Sequence, residues 1–217
     1  MLVLCGRYTL TVPTRLAAAF PEYRFPELAP RYNIAPTQAV LGVRNGATVA
    51  EAFVWGLRAN INARAESVAD KPTFRDALRE RRAILFADGY YEWQVRGDGK
   101  QPYYVHRPDG APFTFAALWE LEASPHGTVT TCAIVTTEAT PALRSIHHRM
   151  PVILSDCDRA AWLTPGSVSA EAALDVLARG DYRVEAYPVS LAVNRVSNDD
   201  PSLTREVRPP QQGDLFG

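Results

Sequence analysis

Apolar and polar residues alternate in short runs along most of this chain, and few runs carry the 3.6-residue period of a helix. Residues 4–10, 83–86, 103–107, 113–118, 128–137 and 152–154 read as strands. Residues 39–44 and 48–57 read as a hairpin folded about Asn45-Gly46, a pair suited to a tight turn. Helical spacing is confined to short stretches. One covers 14–20, with Pro13 near its start. Thr73 is placed to cap another that runs to about Arg81, with Phe74, Ala77 and Leu78 on one face. Two more cover 156–163 and 170–178, while the proline-rich stretch 21–36 reads as irregular. Strands come first and helices fall between and after them. The pattern predicts an α+β fold, a mostly antiparallel, barrel-like β-sheet core with flanking short helices. The polar, proline-rich composition after Pro201 predicts a single domain over residues 1–203 and a flexible C-terminal tail over 204–217.

Composition narrows the function classes. A chain of 217 residues, 47% hydrophobic and only 22% charged, suits one folded domain and excludes wholesale disorder. No run approaches the ~18–20 apolar residues of a membrane helix. The opening Met-Leu-Val-Leu is too short for a signal-peptide core. A cytoplasmic protein with no membrane partner, and a monomer, is expected. Cys5, Cys132 and Cys157 are odd in number and lack ligand spacing, so neither a disulfide framework nor a metal or cofactor is expected. The net charge of −1 makes no prediction about nucleic acid. Lysine occurs only at Lys71 and Lys100, and the other basic residues are arginine. A GC-rich genome explains that bias as readily as phosphate recognition does.

Four segments concentrate chemistry. Cys5 precedes Gly6 and Arg7, and a lone cysteine in a strand is most often a small buried hydrophobe. In Ile61-Asn-Ala-Arg-Ala-Glu66, alternation puts Asn62, Arg64 and Glu66 on one face, either merely solvated or able to hold a phosphate and orient a carbonyl. In Asp88-Gly-Tyr-Tyr-Glu-Trp93, Glu92 sits among aromatics, where desolvation raises a carboxyl pKa toward proton-shuttling range. An exposed glutamate beside surface aromatics fits those residues equally. In Ile146-His-His-Arg-Met-Pro151, neighbouring side chains on an extended segment point opposite ways, which disfavours metal and favours one histidine as acid/base beside Arg149.

Together these segments resemble one family, the SOS-response-associated peptidase (SRAP) family of abasic-site processing proteins. Further matching pieces are Arg31-Tyr-Asn-Ile-Ala-Pro36, Trp55-Gly-Leu57, Ala117-Leu-Trp-Glu120 and Ala133-Ile-Val-Thr136. Eight pieces in the family's order span roughly residues 5 to 200. The resemblance implies a DNA-damage protein that binds single-stranded DNA and crosslinks abasic sites. An N-terminal cysteine supplies an α-amine that forms a Schiff base with the sugar aldehyde, and a thiol that closes a thiazolidine ring. An α-amine titrates near 8, so it is partly neutral and nucleophilic, unlike lysine near 10.4. By match to the family pattern, Cys5 is the crosslinking residue and Asn62 positions the N-terminus and opened sugar. Glu92 acts as acid/base, and His147 is the second proton-transfer group. Arg7, Arg64 and Arg149 hold phosphates, with Asn33 and Thr136 lining the site. His148 occupies a position where the family often has Asp and is not made catalytic. A cysteine-type (auto)peptidase using Cys5, His147 and Asn62, and a non-covalent single-stranded DNA-binding module, are the competing readings.

Two departures from the family pattern carry expectations of their own. Cys5 is not at position 2, so translation is expected to begin at codon 4, with self-cleavage at Leu4–Cys5 as the other route. Only Arg58-Ala-Asn60 separates Trp55-Gly-Leu57 from Ile61, where the family usually carries a longer DNA-touching loop; weaker or differently shaped DNA binding is expected. The end of the chain, Gln212-Gly-Asp-Leu-Phe216, resembles the short bacterial sliding-clamp-binding motif. In that reading Leu215 and Phe216 fill an apolar pocket and Gln212 bonds its rim. The expected setting is the bacterial cytoplasm, with nucleoid association when bound to DNA.

Overall fold

A computed structural model describes residues 6–97, 99–125 and 127–208. Cys5 and the motif residues Gln212, Leu215 and Phe216 lie outside them. Among the described residues the chain forms thirteen strands. The first six are β1 (Arg7–Leu10), β2 (Arg31–Ile34), β3 (Ala39–Arg44), β4 (Glu51–Trp55), β5 (Asn62–Arg64) and β6 (Arg82–Ala87). The others are β7 (Gly89–Arg96), β8 (Gly99–His106), β9 (Phe113–Ser124), β10 (Gly127–Glu138), β11 (Arg149–Pro151), β12 (Ile153–Leu154) and β13 (Glu185–Pro188). The helices are short: α1 (Leu16–Ala19), α2 (Arg75–Glu80), α3 (Pro141–Arg144), α4 (Asp156–Trp162) and α5 (Ala170–Arg179).

Strands β10, β4, β3, β6 and β9 pair in that order, and β9 pairs back onto β10, closing a five-stranded barrel. Closure removes the exposed edges an open sheet would leave. Every pairing in the ring is antiparallel except β10–β4. β5 and β11 extend from β10, and β12 from β9. A second sheet runs β13-β8-β7-β1-β2. The chain passes from barrel to second sheet between β6 and β7, where the single residue Asp88 separates them. The fold is α+β with a largely antiparallel, barrel-like core, as the sequence pattern predicts.

Inside the barrel Phe53, Trp55, Leu85, Phe115 and Ile134 are fully buried. β6 is buried along its whole length because α2 and α4 cover its outer face. Two covered faces explain its unbroken apolar run. Its one charge, Arg82, is 1% exposed and donates to the carbonyls of Trp162 (2.8 Å), Thr164 (2.7 Å) and Gly166 (3.2 Å), completing the end of α4.

Several expected boundaries move. The Asn45-Gly46 turn forms, with Ala47 N–H donating to Arg44 C=O at 3.0 Å and Gly46 at φ +80°. However, β4 starts at Glu51, because Thr48 and Ala50 bond to Arg24 instead of β3. Thr73 makes no cap; α2 begins after Phe74, whose N–H donates to Lys71 C=O. Residues 13–15 are a 3-10 turn before α1. The stretch expected to be irregular contains β2, which takes strand form by pairing with β1. The expected tail starts too early at 204. Thr204 closes a 3-10 turn, Glu206 bridges Val189, and Val207 N–H donates to Pro188 C=O at 2.9 Å. Among the described residues no helix is long and apolar enough to cross a membrane.

Candidate active site

Glu92 lies in the middle of β7, opposite Tyr103 of β8. On the other side of β7, the start of β1 pairs Arg7 with Tyr91. Both faces of β7 are covered, with Tyr90 in the main core and Tyr91 in a second cluster with Tyr104, Val189 and Val193. Glu92 is therefore buried, 3% exposed. Just upstream, Asp88 accepts from Thr9 Oγ1 (2.6 Å), Thr11 Oγ1 (2.9 Å), Val12 N–H (3.0 Å) and Thr11 N–H. Those bonds fix the register of β1 beside β7. Gly89 is required there, since a Cβ would fall 2.2 Å from the Tyr104 ring.

His147 follows α3, and its N–H donates to Leu143 C=O at 3.0 Å. The loop is tied to β7 by Gln94 Nε2, which donates to Ser145 C=O at 2.8 Å. This tie brings the buried His147 ring to Glu92, with Nδ1 to Oε2 at 3.9 Å. Both side chains line one pocket with Tyr90, Val105, Ile146 and Arg149.

His147 Nδ1 has two backbone neighbours from one residue. Arg149 N–H lies at 3.1 Å and can donate to an unprotonated Nδ1, while Arg149 C=O at 3.2 Å can accept from a protonated one. The ring thus has a partner in either protonation state without moving. Nε2 is buried with no partner among the described residues. Burial holds the His147 pKa below its ordinary 6.5, against the backbone bond from Arg149 and with the charges of His148, Arg149 and Lys100. At neutral pH the ring is uncharged. Its neighbour does not point the opposite way as extended geometry would require. The 143–147 turn is not a strand, and the His147 and His148 ring centroids are 4.5 Å apart.

Asn62 opens β5, in register with Ile134 of β10, and Trp55 Nε1 donates to the adjacent Ile61 C=O at 2.9 Å. Alternation holds along β5: Ala63 is buried and Arg64 exposed. Arg64 and Arg7 have no carboxylate partner among the described residues; Arg7 is half-buried, which lowers its pKa, and its Nε has no bond there.

Three expected site residues are engaged elsewhere. Arg149, expected on a phosphate, forms a bidentate pair with Glu66 (2.8 and 2.9 Å) and donates to Thr136 C=O at 2.8 Å. Thr136 is fully buried between Arg149 and Ala63, an internal strut of β10. Asn33, also buried, donates through Nδ2 to the carbonyls of Val193, Arg195 and Asn198 at 2.9–3.1 Å. Through Nδ2 it locks the 193–199 loop. Glu66 had no role assigned by sequence; its alternation with Asn62 and Arg64 was the available signal. The short Arg58-Ala59 connection is a tight turn with both residues at positive φ (45° and 62°), held by Arg58 N–H to Glu122 at 2.8 Å.

Comparison with known proteins fits this geometry into a family. The family model "SOS response associated peptidase (SRAP)" matches residues 4–196. Among curated relatives, Abasic site processing protein YoqW of Bacillus subtilis is 34% identical, with 92% of this chain and 98% of that protein aligned. Abasic site processing protein YedK of Escherichia coli is 33% identical over 84% of this chain and 87% of its own. A solved protein from Bacteroides thetaiotaomicron, at 23% identity, shares the fold with a TM-score of 0.83 over 94% of this chain and all of its own. One from Bordetella bronchiseptica gives 0.74 at 26% identity, covering 86% of this chain and all of its own. The chain belongs to the SRAP family.

Proposed function

We propose that this chain processes abasic sites in single-stranded DNA and traps them as a thiazolidine through Cys5. The α-amine of an N-terminal Cys5 attacks the aldehyde of the opened sugar, and the carbinolamine loses water to give an imine. The Cys5 thiolate then adds to the imine carbon, whose nitrogen takes up a proton, closing the ring. Glu92 relays protons during sugar opening and imine formation, with His147 as its partner and Asn62 orienting the reactants. Arg7 and Arg64 hold phosphates. The observation that carries this reading is the buried Glu92–His147 pair, 3.9 Å apart in one pocket, on the strand paired with Arg7, two residues after Cys5. An unprotonated His147 whose Nδ1 has a backbone partner in both states suits repeated proton transfer.

Cys5 becomes N-terminal by translation from codon 4 and removal of the initiator, or by self-cleavage at Leu4–Cys5, the single peptidase step in this account. The protein acts as a monomeric, single-domain cytoplasmic protein, at the nucleoid when on DNA. Gln212, Leu215 and Phe216 give it a weak grip on the sliding clamp; calorimetry of a 209–217 peptide against that clamp checks this, and no binding at hundreds of micromolar removes it.

The test of the main reading is a denaturing gel. Protein beginning at Cys5 is expected to give an SDS- and heat-stable adduct with an abasic oligonucleotide and none with the intact strand, and Cys5→Ala to lose it. A normal yield from Cys5→Ala overturns the thiazolidine. Shifts seen only on native gels support the non-covalent module instead.

A further inference from the structure

Arg149 is more buried than Arg7 or Arg64, with 7% of its side chain exposed. Two sets of partners hold it, and they differ in kind. On the inner side, Nη2 donates to the carbonyl (2.8 Å) and hydroxyl (3.2 Å) of Thr136, within the barrel strand β10. On the outer side, Nη1 and Nη2 meet only Glu66, whose side chain is 46% exposed. Glu66 stands on a turn after β5, where Ser67 N–H donates to Arg64 C=O at 3.1 Å, and it also accepts from its own backbone N–H and, at 3.4 Å, from Thr137. Arg149 is thus anchored by the barrel, it lines the pocket of Glu92 and His147, and Glu66 covers its outer side.

A buried guanidinium left without an anion is costly, so the free protein needs a partner there. A carboxylate and a phosphate offer the same pair of acceptor oxygens to the fork of an arginine. Burial works to raise the Glu66 pKa, but the bonds and charge from Arg149, with the bonds from its own backbone N–H and from Thr137, together outweigh it and hold the carboxyl below its ordinary value, so Glu66 is an anion at neutral pH. Exposed Arg64, two residues away and without a carboxylate partner among the described residues, offers a standing charge on the same side.

We infer that Glu66 is an exchangeable stand-in for phosphate: it neutralises Arg149 in the free protein and yields that arginine to a backbone phosphate of the bound strand. The inference rests on the single-stranded DNA reading above and adds a residue that keeps a buried cation satisfied until the ligand arrives. The exchange makes Glu66 a brake on affinity, not a contributor to it.

The test is a double-mutant cycle with unmodified oligo-dT, which needs no abasic chemistry. Glu66→Gln is expected to bind on the order of fivefold tighter at low salt, an advantage that shrinks as salt rises. Arg149→Gln weakens binding, and adding Glu66→Gln to it changes nothing further, because the brake acts only through Arg149. Glu138→Gln removes the same charge from β10, opposite Arg149 in register, and is expected to leave affinity within twofold. Tightening by Glu66→Gln in both Arg149 backgrounds would mean general repulsion and overturn the exchange, as would unchanged or weaker binding. Because Arg149→Gln alters a buried residue, thermal unfolding with inorganic tripolyphosphate gives a second readout. Glu66→Gln should start less stable than the wild type and gain more from tripolyphosphate; equal gains overturn the proposal without reference to DNA. If the wild type binds neither oligo-dT nor abasic DNA, the functional reading fails while the tripolyphosphate result still judges the exchange.

Discussion

Two buried carboxylates stand four residues apart at the junction of barrel and second sheet, and they face different neighbours. Asp88 is surrounded by fixed donors: two threonine hydroxyls and two backbone N–H groups of the segment that follows β1. Glu92, almost equally buried, faces a histidine across 3.9 Å in the wall of a pocket. A carboxylate saturated by rigid donors is fixed in place and serves the fold. A carboxylate beside a titratable ring can exchange protons. The same contrast separates Arg82, bonded only to carbonyls inside the core, from Arg149, whose outer partner is a half-exposed carboxylate.

Substitutions that remove the charge at each position sharpen the Asp88–Glu92 contrast. Glu92→Gln is expected to slow adduct formation by about 10²–10⁴-fold while leaving the thermal midpoint near the wild-type value. Single-turnover kinetics beside a melting curve check both halves; a large loss of stability with an unchanged rate would put Glu92 in the structural class. The reverse is expected of Asp88→Ala. Stranding several donors at the junction should cost about 2–4 kcal/mol in denaturant unfolding, with the rate per folded molecule within a few-fold of wild type.

The pH response is a smaller effect. The folded His147 pKa lies below its ordinary value, so the unfolded chain binds the proton more readily. His147 then contributes stability that is fully present above about pH 6.5 and is lost as pH falls through its lower folded value. The adduct rate should fall over the same acidic window as the ring becomes charged. His147→Gln should flatten that limb in both unfolding and rate measurements; an unchanged acid limb assigns it to another group.

Much of this was legible in the sequence, for physical reasons that can be named. The Asn45-Gly46 turn and the apolar run at 83–86 read correctly because local chemistry and the final environment agree. β7 escaped notice because both its faces are buried, Tyr90 in one core cluster and Tyr91 in another, which erases polar alternation. β13, a half-exposed edge ending in Pro188, and β2, inside a proline-rich stretch, become strands only through their partners. Glu92 and His147 could be named from motif resemblance. That Arg149 meets Glu66 could not, since 83 residues separate them and only the β5–β10–β11 arrangement brings them together.

The smallest expected effect concerns the strut between these regions. Thr136→Val removes one acceptor from Arg149 but leaves its carbonyl and Glu66 bonds, so a stability loss of about 1 kcal/mol and a near-normal rate are expected by melting and kinetics.

The central claim, that this pocket turns an abasic aldehyde into a thiazolidine on Cys5, is tested most directly by the intact mass of the purified adduct. Protein beginning at Cys5, incubated with an abasic oligonucleotide, should give a mass equal to protein plus oligonucleotide minus one water. Borohydride should leave that mass unchanged, because the closed ring has no imine to reduce. An adduct that gains two hydrogens with borohydride, or one that maps to Lys71 or Lys100, would contradict the account.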